Sequence, residues 1–159
     1  MNTSFERCEL TKVEWLTPPE MVKKLGKFDL DPCCPIDAPF YHAKTNFTIE
    51  DDGLKKDWFG RVYMNPPYGK HLNLWLEKLK NHGNGIALIF ARTETRMFFE
   101  NIWDSADSLL FVKGRIRFYH VTGIQGGTPG APSVFVAYGK ENSIALKNCG
   151  IAGKFLELQ

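Results

Sequence analysis

Four consecutive residues, Asn65-Pro66-Pro67-Tyr68, carry the most specific chemistry in this sequence. Each proline lacks a backbone N–H and fixes its φ angle at about −65°. The Pro66 carbonyl can therefore point outward with no local donor competing for it. The Asn65 side-chain oxygen can lie beside that carbonyl, and the Tyr68 ring adds an aromatic face for stacking. We therefore expect two hydrogen-bond acceptors and one ring on a rigid turn.

Two acceptors beside a ring suit a planar exocyclic amine on a nucleobase. Such a nitrogen is a poor nucleophile because its lone pair is delocalised into the base. Acceptance of hydrogen bonds from both amine hydrogens returns electron density to the nitrogen and favours the pyramidal geometry needed to attack a methyl group. Oriented dipoles then stabilise the transition state without a strong general base. The alternative interpretation is a proline-rich stop after a strand, which any fold can use.

The elements around this turn predict an α/β fold. Strand-like runs alternate with segments whose apolar residues have helical spacing, as in Leu72, Trp75, Leu76 and Leu79. This alternation is typical of a mostly parallel sheet covered by helices. The predicted strands are 27–31, 61–64, 86–90 and 109–112, with a terminal antiparallel hairpin formed by 116–119 and 134–138. Ligands of such sheets bind beyond the carboxyl ends of the strands.

Two further helices are predicted from local signals. Thr17-Pro18-Pro19-Glu20 predicts a helix with Thr17 as N-cap and Pro18 at its first position, ending at Gly26. Another helix is predicted from the spacing of Phe99, Ile102, Trp103 and Ala106. Residues 36–58 are expected to be mostly irregular.

The motif resembles a known sequence signature. Asn65-Pro66-Pro67-Tyr68 is similar to motif IV, (D/N/S)PP(Y/F), of the amino methyltransferases that use S-adenosylmethionine. Several other segments resemble one branch, the small phage-type DNA N-6-adenine methyltransferases. These segments are Trp15-Leu16-Thr17-Pro18, Asp29-Leu30-Asp31-Pro32-Cys33, Asp52-Gly53-Leu54 with Trp58, and Gly114-Arg115-Ile116-Arg117-Phe118. The resemblance covers roughly residues 14–139.

The resemblance implies a Rossmann-like methyltransferase sheet, S-adenosylmethionine as methyl donor and adenine in DNA as acceptor. It makes Asn65, Pro66, Pro67 and Tyr68 the catalytic loop. It assigns the cofactor to Trp15, Thr17, Pro18, Asp31, Pro32 and Cys33.

The sequence departs from the family pattern after the first predicted strand. Cys34-Pro35-Ile36-Asp37 stands where a glycine-rich turn is usual, and the interval from Asp31 to Asn65 is short. We therefore expect a truncated sheet that lacks one or two strand–helix units. Asp51 and Asp52 are the candidates for the carboxylate that accepts a ribose hydroxyl or contacts the adenine side of the cofactor.

The distribution of charge favours a polyanionic partner for the later part of the chain. Residues 1–59 hold 8 basic and 11 acidic side chains, whereas residues 60–159 hold 12 basic and 7 acidic ones. The candidates for contacts with DNA are Lys70, Arg92, Arg96, Lys113, Arg115 and Arg117. The glycine-rich segment Thr122–Pro132 is long for a compact domain. We expect it to fold over the nucleic acid, the alternative being a slack hairpin tip.

Length and composition limit the class of protein. A chain of 159 residues with 43% hydrophobic residues predicts one soluble domain, residues 1–159. No apolar run has the ~20 residues of a membrane span, and the charged N-terminus predicts no secretion. The four cysteines lack metal-site spacing, so we expect no metal site and a reduced, cytoplasmic protein. For a phage-encoded chain that compartment is the host cytoplasm, and a monomer is the expected oligomeric state.

Two alternative functions remain open on the sequence alone. A methyltransferase with the same motif could act on RNA or on the amide of a protein glutamine, since both present a planar amine. The chain could also be a non-catalytic nucleic-acid-binding module derived from a methyltransferase, an interpretation favoured by the missing glycine-rich turn.

Overall fold

The computed structural model describes residues 15–159, and their centre is a mixed sheet with strand order β2-β1-β3-β4-β6-β5-β7. The strands are β1 (Phe28–Asp31), β2 (Ala43–Asn46), β3 (Val62–Met64), β4 (Gly85–Phe90), β5 (Ser108–Val112), β6 (Ser133–Tyr138) and β7 (Gly153–Glu157). The helices are α1 (Pro19–Lys23), α2 (Leu72–His82), α3 (Arg96–Phe98) and α4 (Lys140–Asn148). A π-helical turn, Phe99–Trp103, continues α3.

Alternating side chains build one apolar cluster on each face of the sheet, because successive strand residues point to opposite faces. Val62 and Met64 of β3 join the cluster that also contains Leu76 and Leu79 of α2. Tyr63, between them, joins the other cluster, with Leu146 of α4. Helices therefore cover both faces, as the α/β prediction requires.

The prediction of a mostly parallel sheet is correct only for its first half. β2, β1, β3 and β4 are joined by parallel pairs. The other three pairs are antiparallel, because β6 runs in the reverse direction between β4 and β5, and β7 adds to the far side of β5.

The predicted hairpin of 116–119 with 134–138 is wrong. The second run is β6, and it pairs with β4 and β5 instead. Ile116 is buried outside any strand, and Tyr119 forms isolated bridges to Leu16 and Gln125. The segment therefore turns back on itself at 118–126, where the Gly126 N–H donates to the Phe118 carbonyl at 2.8 Å.

Two local predictions also need correction. Thr17 does not cap α1, which begins at Pro19 with Pro18 as N-cap, because the Thr17 hydroxyl is hydrogen-bonded to Tyr63. Residues 36–58 are mostly irregular, as predicted, but they also contain the strand β2, which its polar sequence Ala-Lys-Thr-Asn conceals. The predicted helix around Phe99 is a short α-helix followed by the π-helical turn, and Ala106 lies beyond both.

None of the helices within residues 15–159 combines the length and apolar character needed to cross a bilayer.

Candidate active site

The carboxyl ends of three adjacent parallel strands bring the predicted site residues Asp31, Asn65 and Arg92 to one end of the sheet. β1 ends in Asp31, β3 ends just before Asn65, and β4 ends just before Ala91 and Arg92. A direct contact joins the first two ends, since the Cys33 thiol donates to the Asn65 carbonyl at 3.6 Å. The structure therefore places the Asp-Pro-Cys and Asn-Pro-Pro-Tyr segments together.

The Asn65 side chain has a defined orientation at this end of the sheet. Its Nδ2 donates to the Trp15 carbonyl at 2.7 Å. A carbonyl only accepts hydrogen bonds, so the amide must face it with nitrogen, and Oδ1 points elsewhere. Within residues 15–159 neither Asn65 Oδ1 nor the Pro66 carbonyl oxygen accepts a hydrogen bond. Asn65 is half-buried and Pro66 is buried, so the corner offers two uncommitted acceptors in a partly dehydrated place.

The Tyr68 ring is fixed against β4. It stacks on Phe90 with ring centroids 4.5 Å apart and planes inclined by 23°, and its hydroxyl accepts a hydrogen bond from the Phe90 N–H. Burial raises the pKa of Tyr68, with smaller opposing effects from the Phe90 N–H and the charge of Arg92, so the phenol is neutral. The half-buried ring keeps part of its surface accessible, and Arg92 lies near enough to influence it.

Asp31 is a buried carboxyl group at the end of β1. Burial raises its pKa from 3.8 to about 7, and the Cys33 N–H, which donates to Oδ1 at 3.1 Å, opposes this shift. Oδ2 accepts no hydrogen bond within the described part of the chain. Pro32 is buried and Cys33 is half-buried, and burial, with the nearby Asp31 and Cys34, raises the pKa of the Cys33 thiol.

The segment Trp15–Pro18 crosses the same end of the sheet. Trp15 binds Asn65 through its carbonyl, Leu16 exchanges two backbone hydrogen bonds with Tyr119, and Thr17 is hydrogen-bonded to Tyr63. Pro18 is buried at the start of α1. The Trp15 Nε1 atom is buried without a partner in residues 15–159. The segment that binds Asn65 thus carries an indole donor that no described residue accepts from.

The contacts of Asp51 and Asp52 are local. Asp51 Oδ2 accepts from the Thr48 N–H at 2.8 Å, and Asp52 has a φ angle of 56° and an ion pair with Lys55 at 3.6 Å. Their loop does reach the end of β1, because a Cβ added to Gly53 would lie 2.1 Å from the Pro32 carbonyl oxygen. A role for either carboxylate stays a prediction.

Asn46 is a candidate that sequence reasoning missed. It is the last residue of β2 and pairs in register with Asp31. Its Nδ2 donates to the Ala43 carbonyl at 2.8 Å, whereas its Oδ1 is buried without a partner in the described residues. No local pattern in the sequence singles it out, because the polar composition of β2 hides the strand that it ends.

The six basic side chains predicted to contact DNA differ in whether another group of the protein already binds the charged end. Lys70, Arg92 and Lys113 are exposed, whereas Arg96 pairs with Glu100. Arg115 and Arg117 are exposed on either side of the buried Ile116, as their alternation predicts. They donate to the carbonyls of Pro129 and Gly126 at 2.9 and 3.1 Å and thereby hold the segment Thr122–Pro132.

Comparison with known proteins identifies the family. A family model described as DNA N-6-adenine-methyltransferase (Dam) matches residues 8–138. No curated protein and no solved structure matches significantly. The matched range includes the three strand ends, the Trp15–Pro18 segment and the arginines at 115 and 117. The chain belongs to the DNA N-6-adenine-methyltransferase (Dam) family.

Proposed function

We propose that this chain transfers a methyl group from S-adenosylmethionine to the exocyclic N6 amine of adenine in DNA. The observation that carries the proposal is the pair of uncommitted acceptors, Asn65 Oδ1 and the Pro66 carbonyl, at the end of β3 in a chain of the Dam family. An amine with two hydrogens is the group that such a pair suits.

Three residues of the corner Asn65–Tyr68 have distinct tasks in the proposed reaction. Asn65 and Pro66 accept the two amine hydrogens and draw electron density onto the nitrogen, which lowers the barrier by preorganised dipoles. Tyr68 holds the adenine ring by stacking, while Phe90 supports the other side of Tyr68. The adenine must leave the duplex to reach this half-buried place.

Three polar atoms fit the proposed cofactor. Among residues 15–159, Asp31 Oδ2 accepts no hydrogen bond, the buried acceptor Asn46 Oδ1 has no partner, and the buried donor Trp15 Nε1 has none. S-adenosylmethionine presents amine and hydroxyl donors as well as acceptors, so it can satisfy all three. When bound, it supplies the electrophilic methyl group. Asp31 and Asn46 would hold its donors, and Trp15 and Cys33 would line its site.

The proposed DNA contacts come from the exposed basic side chains and the segment that two of them hold. Lys70 follows the corner Asn65–Tyr68 directly along the chain, and Arg92 lies near enough to Tyr68 to affect its pKa. Arg115 and Arg117 donate hydrogen bonds to the Thr122–Pro132 segment. Cations of this kind neutralise phosphates and position the duplex without reading its sequence.

The direct test is incubation of the protein with unmethylated plasmid DNA and labelled S-adenosylmethionine, followed by digestion and identification of the nucleosides. N6-methyladenine is the expected product. Asn65→Ala should abolish its formation and leave cofactor binding, measured by calorimetry, largely intact. Label found only in RNA or protein added in parallel would contradict the proposal. Absence of both turnover and cofactor binding would favour a non-catalytic module.

A further inference from the structure

The catalytic corner depends on a main-chain carbonyl that comes from a distant part of the sequence. Asn65 Nδ2 donates to the carbonyl of Trp15, 50 residues earlier in the chain. This bond holds the nitrogen of the amide against Trp15 and leaves the oxygen for the substrate. The direction of the proposed acceptor is therefore set by where the Trp15 carbonyl lies.

The Trp15 carbonyl is held in place by the hydrogen bonds of the two residues that follow it. The next residue, Leu16, exchanges backbone hydrogen bonds of 2.9 and 2.8 Å with Tyr119. Thr17, one residue further, is completely buried, and its hydroxyl is hydrogen-bonded to the Tyr63 hydroxyl. Tyr63 is itself completely buried in β3, two residues before Asn65.

We propose that Tyr63 is a positioning residue for the reaction, acting through Thr17 and the Trp15 carbonyl to orient the Asn65 amide. The inference rests on the proposed function and adds a division of labour within the amide. The nitrogen of Asn65 serves the Trp15–Thr17 segment, and only the oxygen serves the substrate amine.

The chain offers a matched control for Tyr63. Tyr138 is also buried, and its hydroxyl donates to the Asn101 carbonyl at 2.6 Å, without contact to the Trp15–Thr17 segment. Tyr63→Phe and Tyr138→Phe therefore each remove one buried hydroxyl and one hydrogen bond. Only the first removes an anchor of the segment that binds Asn65.

The first experiment compares methyl transfer to plasmid DNA by the two variants. For Tyr63→Phe we expect kcat to fall about tenfold with an unchanged KM for DNA, because a displaced Asn65 oxygen would lose about one hydrogen bond of transition-state stabilisation. Tyr138→Phe should retain kcat. Thr17→Val should reproduce the loss, and the double variant with Tyr63→Phe should be no slower, since both remove the same bond. Equal kcat values for Tyr63→Phe and Tyr138→Phe would overturn the inference.

A second readout does not require turnover. The Asn65 side-chain amide signals in an NMR spectrum, identified by their loss in Asn65→Ala, should shift in Tyr63→Phe and remain in place in Tyr138→Phe. Unshifted signals in Tyr63→Phe would refute the positioning role. A wild-type protein that methylates no DNA would contradict the proposed function, while these signals would still decide the orientation of the amide.

Replacement of Asn65 by aspartate tests the division of labour, although the family motif permits aspartate at this position. In Asn65→Asp a carboxylate oxygen would face the Trp15 carbonyl and repel it, whereas the protonated acid can donate to it as the amide does. The ratio of variant to wild-type activity should therefore rise as the pH is lowered. The neighbouring titratable groups Asp31 and Cys33 are present in both proteins, so the ratio removes the part of their titration that the two proteins share. A variant as active as the wild type at pH 8 would show that the amide nitrogen has no such role.

Discussion

Asp31 links the stability of the protein to the proposed binding of S-adenosylmethionine. Burial raises its pKa from 3.8 to about 7, so folding favours the protonated form. The free energy of unfolding then carries a contribution that is present below the unfolded pKa and is lost as the pH rises through the folded one. An ionised Asp31 in the free protein is therefore destabilising, and a cationic or hydroxyl donor on a ligand can relieve that cost.

This linkage gives a prediction for Asp31→Asn. The variant should lack the part of the pH dependence between about pH 4 and 7 that Asp31 contributes, and at pH 8 it should exceed the wild type in stability by up to a few kcal/mol. Wild-type affinity for S-adenosylmethionine should rise as the pH passes through 7, whereas the variant should bind weakly at every pH. Thermal melts and calorimetry at several pH values measure the two effects. A variant that binds the cofactor like the wild type would exclude Asp31 from the site.

At the residue scale, the sequence was informative where one local pattern determines one property. The prolines at 66 and 67 dictate a rigid corner, and the structure has uncommitted acceptors there. Thr17 shows the limit of such patterns, because its hydroxyl binds Tyr63, 46 residues away, instead of capping the helix. The Asn65–Trp15 bond is equally non-local, and no spacing rule could have revealed it.

At the element scale, apolar runs revealed the buried strands and polar runs hid the edge strands. β4 is buried throughout and was predicted, whereas β2 and β7 lie at the two edges of the sheet and bury few side chains. β6 pairs with β4 and β5, whose residues lie far from it in the sequence. Its apolar sequence therefore predicts a buried strand but not which strands lie beside it. The missed β2 also concealed Asn46 as a candidate for cofactor binding.

The loop after β2 gives a prediction about an element. Gly53 packs so closely on the end of β1 that an added Cβ would lie 2.1 Å from the Pro32 carbonyl oxygen. Because that oxygen belongs to the backbone, it cannot easily move away. Gly53→Ala should push the loop away from Pro32, destabilise the fold by roughly 1–3 kcal/mol and weaken cofactor binding. Gly127→Ala is the control, since a Cβ there meets no atom of residues 15–159 within 4 Å. Equal melting temperatures and cofactor affinities for the two variants would refute this role of the loop.

At the scale of the whole molecule, the basic excess of residues 60–159 contains exposed arginines that the fold places next to the Trp15–Pro18 segment. Tyr119 bridges to Leu16, and Gly126 packs so closely on the Trp15 ring that a Cβ there would lie 2.7 Å from it. Arg117 donates to the Gly126 carbonyl, so one of the proposed DNA contacts also supports the segment beside the proposed catalytic corner, Asn65–Tyr68. The charge of Arg117 and its hydrogen bond to Gly126 can be tested separately, because lysine retains the charge and lacks the Nε donor of arginine.

If Arg117 contacts a phosphate, its removal should change the salt dependence of DNA binding in a defined way. The slope of log affinity against log salt concentration should fall by about 0.9 for each lost phosphate contact in Arg117→Ala. Arg117→Lys should keep the slope and lower only the rate of methyl transfer, since it retains the charge but not the bond from Nε to Gly126. Lys147→Ala, which removes an exposed charge on α4, is the control and should leave slope and rate unchanged. Fluorescence anisotropy titrations at several salt concentrations provide the slopes. Identical slopes for Arg117→Ala and the wild type would mean that Arg117 supports the loop without touching the DNA backbone.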